Sequence, residues 1–418
     1  MSDNLAKIDH IVVVMLENRS FDHMLGYLSL EGGRPDVDGL AVGMANQHDG
    51  RTYPPFHFES PDPLDPDHSG AAVARQINDG RMDGFVAAYA RALAACGQLG
   101  ADPGGVMGYF NASDVPVYDH LAAEFAICDR WHSSVPGATW PNRLYALTGG
   151  ADGTCDDPKP PPIYNKASFV RHLDAAGVGW RWYSYAPATL RCIDSEYLVG
   201  HDGHFAYVDR VKLRWDPMLD RGMTIDAGSS SFLEDAVAGD LAPVSWIDPD
   251  FLDLGLVGPS SADDHPPADV FGGQELVFRV YDALAAGPKW DRTLLIVTYD
   301  EHGGFHDHVP PPAAPDDPPW GTYGVRVPAL VASPWVPRGV VSHTLFDHTS
   351  IIRTILERFC SDELVPRHGL RAVGHWLEPG HPRYVGARVE AATGLGELLG
   401  APAARAAPDR AALGEAIA

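Results

Sequence analysis

Two long apolar runs in the chain each end abruptly at two polar residues. The first run covers residues 8–16 and the second covers residues 293–299. A near-continuous run of Val, Ile and Leu is typical of a strand buried on both faces of a parallel sheet. Open α/β sheets bind ligands beyond the carboxyl ends of their strands. The polar residues predicted to lie there are Glu17, Asn18, Asp300 and Glu301.

These carboxylates converge if the two strands are neighbours in one sheet. Like charges held close together repel each other and are costly to desolvate, so such a cluster normally requires a neutralising cation. The alternative is that the acids are solvated loop residues or helix caps. The matching pattern at both strands favours a cation site.

The remaining pattern alternates between predicted helices and strands. Helices are predicted over residues 85–95, 118–125, 168–177, 274–286 and 349–359, and Ser20 is predicted to cap another that begins at Phe21. Further strands are predicted over residues 178–185, 243–250 and 325–332. We expect an α/β domain over residues 1–380 with loop-rich insertions around 32–115 and 185–240. Residues 381–418 are expected to form an Ala-rich helical tail.

Thr139 stands immediately before a helix that is predicted to begin near Pro141. The amino end of a helix favours an anion because its backbone N–H groups are unpaired and its dipole is positive there. A hydroxyl at that position suits a nucleophile that attacks phosphate. The alternative is that Thr139 is only the N-cap of the helix.

Composition limits the partners of the chain. Its 418 residues include 31 basic and 56 acidic side chains, a formal net charge of −25, which disfavours binding to nucleic acid or to anionic membranes. The first residues show no secretion signal, and the run from Ile11 to Leu16 is too short to span a bilayer. We therefore expect a soluble, cytoplasmic protein without an integral membrane segment, although export by another route stays open.

The five cysteines are scattered without CxxC pairs, which argues against zinc-thiolate and thioredoxin-like sites. Cys155 and Cys192 lie in neighbouring loop-rich segments and are the candidates for a disulfide. Reduced thiols fit the odd number equally well.

Four motifs resemble those of the phosphoesterase family that contains bacterial and plant non-specific phospholipases C and acid phosphatases. They are found in the same order and extend over nearly the whole chain. The motifs are Glu17-Asn18-Arg19-Ser20-Phe21-Asp22-His23, Thr139-Trp140-Pro141-Asn142-Arg143, Asp300-Glu301-His302-Gly303-Gly304-Phe305, and Gly324 to Pro328 with Ser333-Pro334. The resemblance implies an alkaline phosphatase-like sandwich, in which helices cover both faces of a largely parallel sheet.

The resemblance also implies roles for individual residues. The implied metal ligands are Glu17, Asn18, Thr139, Asp300 and Glu301. Thr139 is also the implied nucleophile, and the implied phosphoryl-contacting histidines are His68, His265 and His308. The implied substrate-binding residues are Asn142, Arg143 and His306. Many family members have Tyr where this chain has His306, so whether His306 contacts the site or replaces a packing residue stays open.

The expected activity follows from these roles. A set of oxygen ligands favours one hard divalent ion such as Ca²⁺, Mg²⁺ or Mn²⁺ over Zn²⁺. We expect a metal-dependent phosphoric ester hydrolase, phospholipase C-like or broadly phosphatase-like, with a phosphothreonine intermediate. The alternative is a non-catalytic protein that binds a cation or a phosphorylated ligand. Trp320 and the aromatic residues at 180–185 are hints of an apolar entrance for lipid, but packing explains them equally well.

Overall fold

The computed structural model describes residues 4–58, 64–158, 163–185, 188–209, 230–251, 261–316, 321–360 and 384–417. Within these residues the strands are β1 (His10–Leu16), β2 (Asn46–His48), β3 (Arg51–Tyr53), β4 (Phe56–His57), β5 (Gly108–Tyr109), β6 (Ala126–Cys128), β7 (Trp180–Ser184), β8 (Phe205–Tyr207), β9 (Val244–Ile247), β10 (Thr293–Tyr299), β11 (Ala329–Ala332) and β12 (Val341–Ser342). The α-helices are α1 (Phe21–Leu25), α2 (Tyr27–Leu30), α3 (Gly70–Ile77), α4 (Phe85–Ala95), α5 (Pro116–Glu124), α6 (Thr139–Thr148), α7 (Val170–Ala176), α8 (Thr189–Ile193), α9 (Phe232–Ala238), α10 (Phe271–Ala286), α11 (Thr349–Phe359), α12 (Ala387–Ala391) and α13 (Ala411–Ile417).

Eight strands form the central sheet, in the order β12-β6-β11-β10-β1-β9-β7-β8. The strands from β10 through β1, β9 and β7 to β8 are all parallel. β11 runs antiparallel to both β10 and β6, and β12 is parallel to β6. All seven residues of β1 are buried, and since alternate side chains point to opposite faces, both faces of the sheet are covered there. The predicted α/β fold with a largely parallel central sheet is confirmed.

The register of β1 and β10 brings their ends together. Leu16, the last residue of β1, pairs with Tyr299, the last residue of β10. Glu17 and Asp300 therefore leave the sheet side by side at the same edge. The predicted convergence of the two polar strand ends is confirmed.

Most predicted elements are found close to their predicted bounds. Helices α4 and α11 match the predicted ranges, and β10 matches the second apolar run. β11 is shorter than predicted, since it begins only at Ala329. Pro328 has no N–H to donate to a ladder, and Arg326 before it makes only an isolated bridge with His132.

The segment around residues 32–115 contains more regular structure than predicted. It holds β2 to β5 and the helices α3 and α4. Val73, Phe85, Tyr89 and Val106 from this segment belong to a second apolar cluster, which Val325 joins from outside it. The segment is therefore a packed unit beside the sheet, and it carries His68.

The described part of the C-terminal tail packs onto the rest of the chain. Arg388 in α12 is buried, donates to the Ser134 carbonyl at 2.7 Å and pairs with Asp347 at 3.1 Å. The predicted boundary near residue 380 falls outside the described residues, as does residue range 210–229 in the second predicted insertion. The domain boundaries stay predictions.

Several open alternatives are settled by burial and geometry. All five cysteines are free, so the candidate disulfide between Cys155 and Cys192 is wrong. Trp182 in β7 stacks on Trp246 with ring centroids 5.1 Å apart, so packing explains this part of the aromatic run. Trp320 lies outside the described residues. Among the helices that the structure describes, none combines the length and apolar character needed to cross a bilayer.

Candidate functional site

The turn after β1 presents Asn18 to the end of β10. Asn18 has φ of 63°, in the left-handed region that Asn tolerates better than most residues. This turn lets the Asn18 backbone N–H donate to Asp300 Oδ1 at 3.3 Å. The chain then enters α1, where Ser20 Oγ accepts from the His23 N–H at 3.2 Å, which confirms the predicted cap.

Arg143 joins the two strand ends to helix α6. Its guanidinium is buried, with Nη2 3.1 Å from Glu17 Oε1 and Nε 3.1 Å from Asp300 Oδ2. The sequence predicted a substrate-binding role, and the structure gives Arg143 two carboxylate partners from the chain itself. Thr139 lies four residues earlier, and residues spaced i and i+4 share one face of a helix. Thr139 therefore lies on the same side of α6 as Arg143, whose guanidinium contacts the acids.

Thr139 is the first residue of α6 rather than its cap. The N-cap is Ala138, and the helix begins two residues earlier than predicted. The interpretation of Thr139 as only an N-cap is wrong. One of the free N–H groups of the first turn is paired with Asp157, whose Oδ1 accepts from the Trp140 N–H at 2.8 Å.

Asn142 holds the loop that leads into α6. Its buried side chain accepts from the Val135 N–H at 3.0 Å and donates to the Gly137 and Ala138 carbonyls at 3.1 and 3.0 Å. Both the oxygen and the nitrogen of the side-chain amide are therefore hydrogen-bonded to backbone groups. Asn142 thus positions the loop before Thr139, and its predicted contact with substrate stays a prediction.

His68 and His265 approach the same group from two further loops. His68 Nδ1 donates to the Pro66 carbonyl at 2.9 Å, and its Nε2 lies 3.4 Å from Asn18 Nδ2. The His265 ring meets the His68 ring edge-on, with centroids 5.9 Å apart. The structure therefore brings together two of the three predicted phosphoryl-contacting histidines.

Negative charge in this group exceeds the positive charge that the chain supplies. Burial, followed by the charge of Asp300, raises the pKa of Glu17 well above its usual value. Burial also raises the pKa of Asp300, to about 6, although Arg143 opposes this. Burial alone would raise the pKa of Glu301 too, but His68 and His302 lower it. Two buried carboxyl groups with raised pKa values are the electrostatic environment that a bound cation relieves.

Two buried oxygens beside these carboxylates have no hydrogen-bond partner among the residues that the structure describes. They are Asn18 Oδ1 and Glu301 Oε1. Leaving a buried acceptor unsatisfied costs about 1–3 kcal/mol, so an unpaired oxygen on each of two adjoining loops requires an explanation. Amide and carboxylate oxygens are ligands that hard divalent cations prefer. The residues present fit such an ion.

His306 and His308 contact a different set of charged residues. His308 Nδ1 lies 2.7 Å from Asp22 Oδ2, and Arg326 pairs with Asp22 and Asp307 at 3.0 and 2.9 Å. Burial lowers the pKa of His306 to about 4, and its ring lies edge-on to Phe85. In the described part of the chain, no hydrogen bond or ion pair links either histidine to Glu17, Asp300 or Glu301. Their predicted site roles stay predictions.

Atoms of Asp22, Asp307 and His308 lie within 4.8 Å of one another, close enough to be considered as metal ligands. Arg326 already pairs with both carboxylates, so this cluster is neutralised by the chain itself. We describe it as a buried ion-pair network.

Two residues near the site were missed by sequence reasoning. The Asp263 carbonyl accepts from the Glu17 N–H at 2.8 Å, and burial raises the pKa of its carboxyl. Gln76 is buried on α3, with Oε1 2.9 Å from His302 Nε2 and Nε2 2.9 Å from the Asp67 carbonyl. Asp263 directly precedes Asp264-His265, which is a usable signal. Gln76 lies outside every motif, and only the fold reveals its contacts.

Comparisons with known proteins identify the family of the chain. A family model described as the Phosphoesterase family matches residues 8–360. Non-specific phospholipase C6 of Arabidopsis thaliana is 32% identical over 380 residues, covering 84% of this chain and 68% of the relative. Non-hemolytic phospholipase C of Pseudomonas aeruginosa is 31% identical over 414 residues, covering 85% and 54%. Phospholipase C B of Mycobacterium tuberculosis is 31% identical over 404 residues, covering 85% and 74%.

Similarity to solved structures is more distant. A phosphonate monoester hydrolase of Agrobacterium radiobacter aligns over 84% of this chain and 74% of that chain, with a TM-score of 0.36 and 12% identity. A similarity of this size carries no argument about function.

Proposed function

This chain belongs to the Phosphoesterase family and is a phosphoric ester hydrolase, and we propose that it is a metal-dependent, phospholipase C-type enzyme with Thr139 as nucleophile. The names of its relatives favour a phospholipid diester over a small monoester. On this proposal the bond cleaved is the one between phosphorus and the glycerol oxygen.

The observation that carries the proposal is a pair of buried oxygens, Asn18 Oδ1 and Glu301 Oε1, which have no partner within the described ranges and lie beside carboxyl groups with raised pKa values. Glu17, Asn18, Asp300 and Glu301 would hold the cation, with the Thr139 hydroxyl as a further ligand. A bound divalent ion lowers the pKa of a coordinated hydroxyl and polarises a phosphoryl group, which contributes several kcal/mol to transition-state stabilisation.

The residues of the chain supply the remaining chemistry. Thr139 Oγ loses its proton to solvent and forms a bond to phosphorus while the bond to the leaving alcohol oxygen breaks. Arg143 is fixed between Glu17 and Asp300, which keeps positive charge beside the first turn of α6. Water then attacks the phosphothreonine, which releases the phosphorylated head group and restores the Thr139 hydroxyl.

His68 is our candidate for the acid that protonates the leaving alcohol. Its Nδ1–H is held by the Pro66 carbonyl, which orients Nε2 towards Asn18. Burial alone would lower its pKa, but the charges of Glu301 and Asp65 raise it to about 9. The ring is directed into the site, and in the metal-free protein these charges favour its protonated form, which is the form that a general acid needs. His265, whose ring lies against that of His68, is the second candidate for this acid.

The test is hydrolysis of phosphatidylcholine and p-nitrophenyl phosphate by the purified protein, with and without EDTA. We expect phosphatidylcholine to be the better substrate, EDTA to stop turnover, and restored Mn²⁺, Mg²⁺ or Ca²⁺ to recover it. No product from either substrate with metal restored would instead favour a protein that only binds a cation or a phosphorylated ligand.

The nucleophile is tested separately with Thr139→Ala, which should abolish turnover while retaining part of the metal affinity. The matched control is Thr148→Ala on the same helix, whose hydroxyl donates only to the carbonyls of Leu144 and Gly150. An unchanged rate in Thr139→Ala would remove the nucleophile assignment.

A further inference from the structure

A small apolar cavity lies in the segment that carries His68. Its volume is about 170 Å³, similar to that of an apolar cavity of about 150 Å³ that stays dry and binds benzene. Its lining is mainly apolar and aromatic and includes Phe58, Leu64, Pro66, Tyr89, Val106 and Phe305. The cavity has room for a short hydrocarbon segment rather than for a whole lipid.

Two polar side chains of the wall already have hydrogen-bond partners within the protein. The Tyr89 hydroxyl donates to the Leu64 carbonyl at 3.3 Å. Asp102, at the rim, accepts from the Gly104 N–H at 2.9 Å. An apolar cavity whose polar neighbours are satisfied within the protein favours an apolar guest.

The cavity shares its walls with the loops that carry the site. Pro66 lines the cavity, and its carbonyl accepts the hydrogen bond from His68 Nδ1 at 2.9 Å. Phe305 lines it from the loop after β10, four residues beyond Glu301. The two loops are in close contact, because a Cβ added to Gly304 would lie 2.8 Å from Pro66 Cβ. The cavity therefore lies against the two loops that carry His68 and Glu301.

Apolar side chains continue from the cavity to the protein surface. Leu64 is 48% exposed and Phe56 is 41% exposed. The Phe56 ring lies 5.3 Å from the ring of Phe58, which lines the cavity. Grouped exposed apolar side chains mark a binding surface more often than single ones do.

We propose that this cavity receives the first carbons of an acyl chain of the phospholipid substrate, with Leu64 and Phe56 at its mouth. The proposal rests on the proposed function and adds to it a binding site for the lipid part of the substrate. The acyl chain begins a few bonds from the phosphorus atom, and the cavity shares Pro66 and Phe305 with the loops that carry His68 and Glu301. Each buried methylene then contributes about a four-fold gain in binding.

The experiment compares short-chain phosphatidylcholines, used below their micelle concentration, with p-nitrophenyl phosphocholine, a diester without an acyl chain. In the wild-type protein kcat/KM should rise about four-fold per methylene over the first few carbons and then level off. Leu64→Gln makes the mouth of the cavity polar, and Ala101→Trp fills the cavity. Each should lower kcat/KM for the chain lengths at the plateau by about ten-fold. Both should leave turnover of p-nitrophenyl phosphocholine unchanged, which also reports that they fold.

The matched control is Leu99→Gln, the same substitution at a leucine that is 84% exposed and outside the cavity lining. It should keep the wild-type dependence on chain length. A chain-length dependence that is the same in wild type, Leu64→Gln and Ala101→Trp overturns the acyl site while leaving the proposed function intact.

Binding without turnover separates the two hypotheses further. Calorimetric titration of dihexanoylphosphatidylcholine into Thr139→Ala should show about ten-fold weaker binding when Leu64→Gln is added. If the wild-type protein hydrolyses neither diester but this difference in affinity is found, the proposed function fails and the acyl site stands. Equal affinities overturn the acyl site.

Discussion

The side-chain oxygen of Gln76 lies 2.9 Å from Nε2 of His302, while its side-chain nitrogen donates to the Asp67 carbonyl at 2.9 Å. His302 follows Glu301, and Asp67 precedes His68. One buried amide therefore fixes the segment that carries a candidate metal ligand relative to the segment that carries the candidate acid.

Gln76→Met should lower kcat by about ten-fold, because a side chain of similar length can no longer hold either segment. The unsatisfied His302 nitrogen and Asp67 oxygen should also cost about 1–3 kcal/mol of folding free energy. Gln76→Glu keeps the acceptor for His302 and should lose less activity. Steady-state kinetics and urea unfolding measure both effects. If both variants lose stability while kcat stays at the wild-type value, Gln76 has only a packing role.

Arg143→Met should strongly destabilise the metal-free protein. The substitution leaves the buried carboxyls of Glu17 and Asp300 without their cation, and losing one partner of a buried ion pair costs about 3–5 kcal/mol. Saturating Mn²⁺ should reduce this loss, because the ion compensates the same carboxylates. Urea unfolding in EDTA and in Mn²⁺ gives the two values. Arg338→Met is the control, since Arg338 is 70% exposed and its pair with Glu124 should contribute about 0–1 kcal/mol. A loss in EDTA as small as that of the control would contradict the assigned role.

Metal binding should raise the melting temperature of EDTA-treated protein. An ion at a hundred times its Kd stabilises the folded state by about 2.7 kcal/mol when it does not bind the unfolded chain. Asn18→Ala and Glu301→Gln each remove a proposed ligand oxygen and should reduce the shift, which calorimetry measures for Mg²⁺, Ca²⁺, Mn²⁺ and Zn²⁺. His308→Gln alters the separate Asp22 network and should leave the shift unchanged. A shift that disappears only in His308→Gln would move the metal site to that network.

The stability that His308 provides should fall as the pH rises. Burial alone would lower the pKa of His308, but Asp22 outweighs burial and raises it to about 9. Because the folded-state pKa lies above the unfolded value of about 6.5, the contribution is complete below pH 6.5 and is lost as the pH rises through 9. The free-energy difference between wild type and His308→Gln should be about 2–3 kcal/mol at pH 6 and shrink towards pH 9.5. Urea unfolding at several pH values measures it. A difference that does not change with pH would show that the histidine is not charged in the folded protein.

Sequence reasoning predicted the centre of the fold because the signal there was continuous. The uninterrupted apolar runs of β1 and β10 left few alternatives to buried parallel strands, and the break at Glu17 and at Asp300 marked the edge of the sheet. The sequence did not indicate that β11 is antiparallel, since a short buried strand has the same composition in either direction.

The candidate site was predicted unevenly for a similar reason. Asn18 and Glu301 closely follow the ends of β1 and β10, whereas Gln76 reaches the site from α3 and Asp263 from a loop, and the placement of both depends on long-range packing. Ala138 caps α6 without a side-chain hydrogen bond, so the sequence offered no signal that the helix begins at Thr139. Arg143 was recognised as a site residue, but its carboxylate partners, Glu17 and Asp300, are more than a hundred positions away.

The central position of β1 also affects how the chain folds while it is being synthesised. β1 is synthesised first, yet both of its sheet neighbours, β9 and β10, emerge from the ribosome more than half a chain length later. Until then an apolar strand has both edges unpaired, which is the condition under which nascent proteins aggregate. We expect chains truncated before β9 to be held by chaperones or degraded, so a premature stop in this long interval should yield no stable fragment.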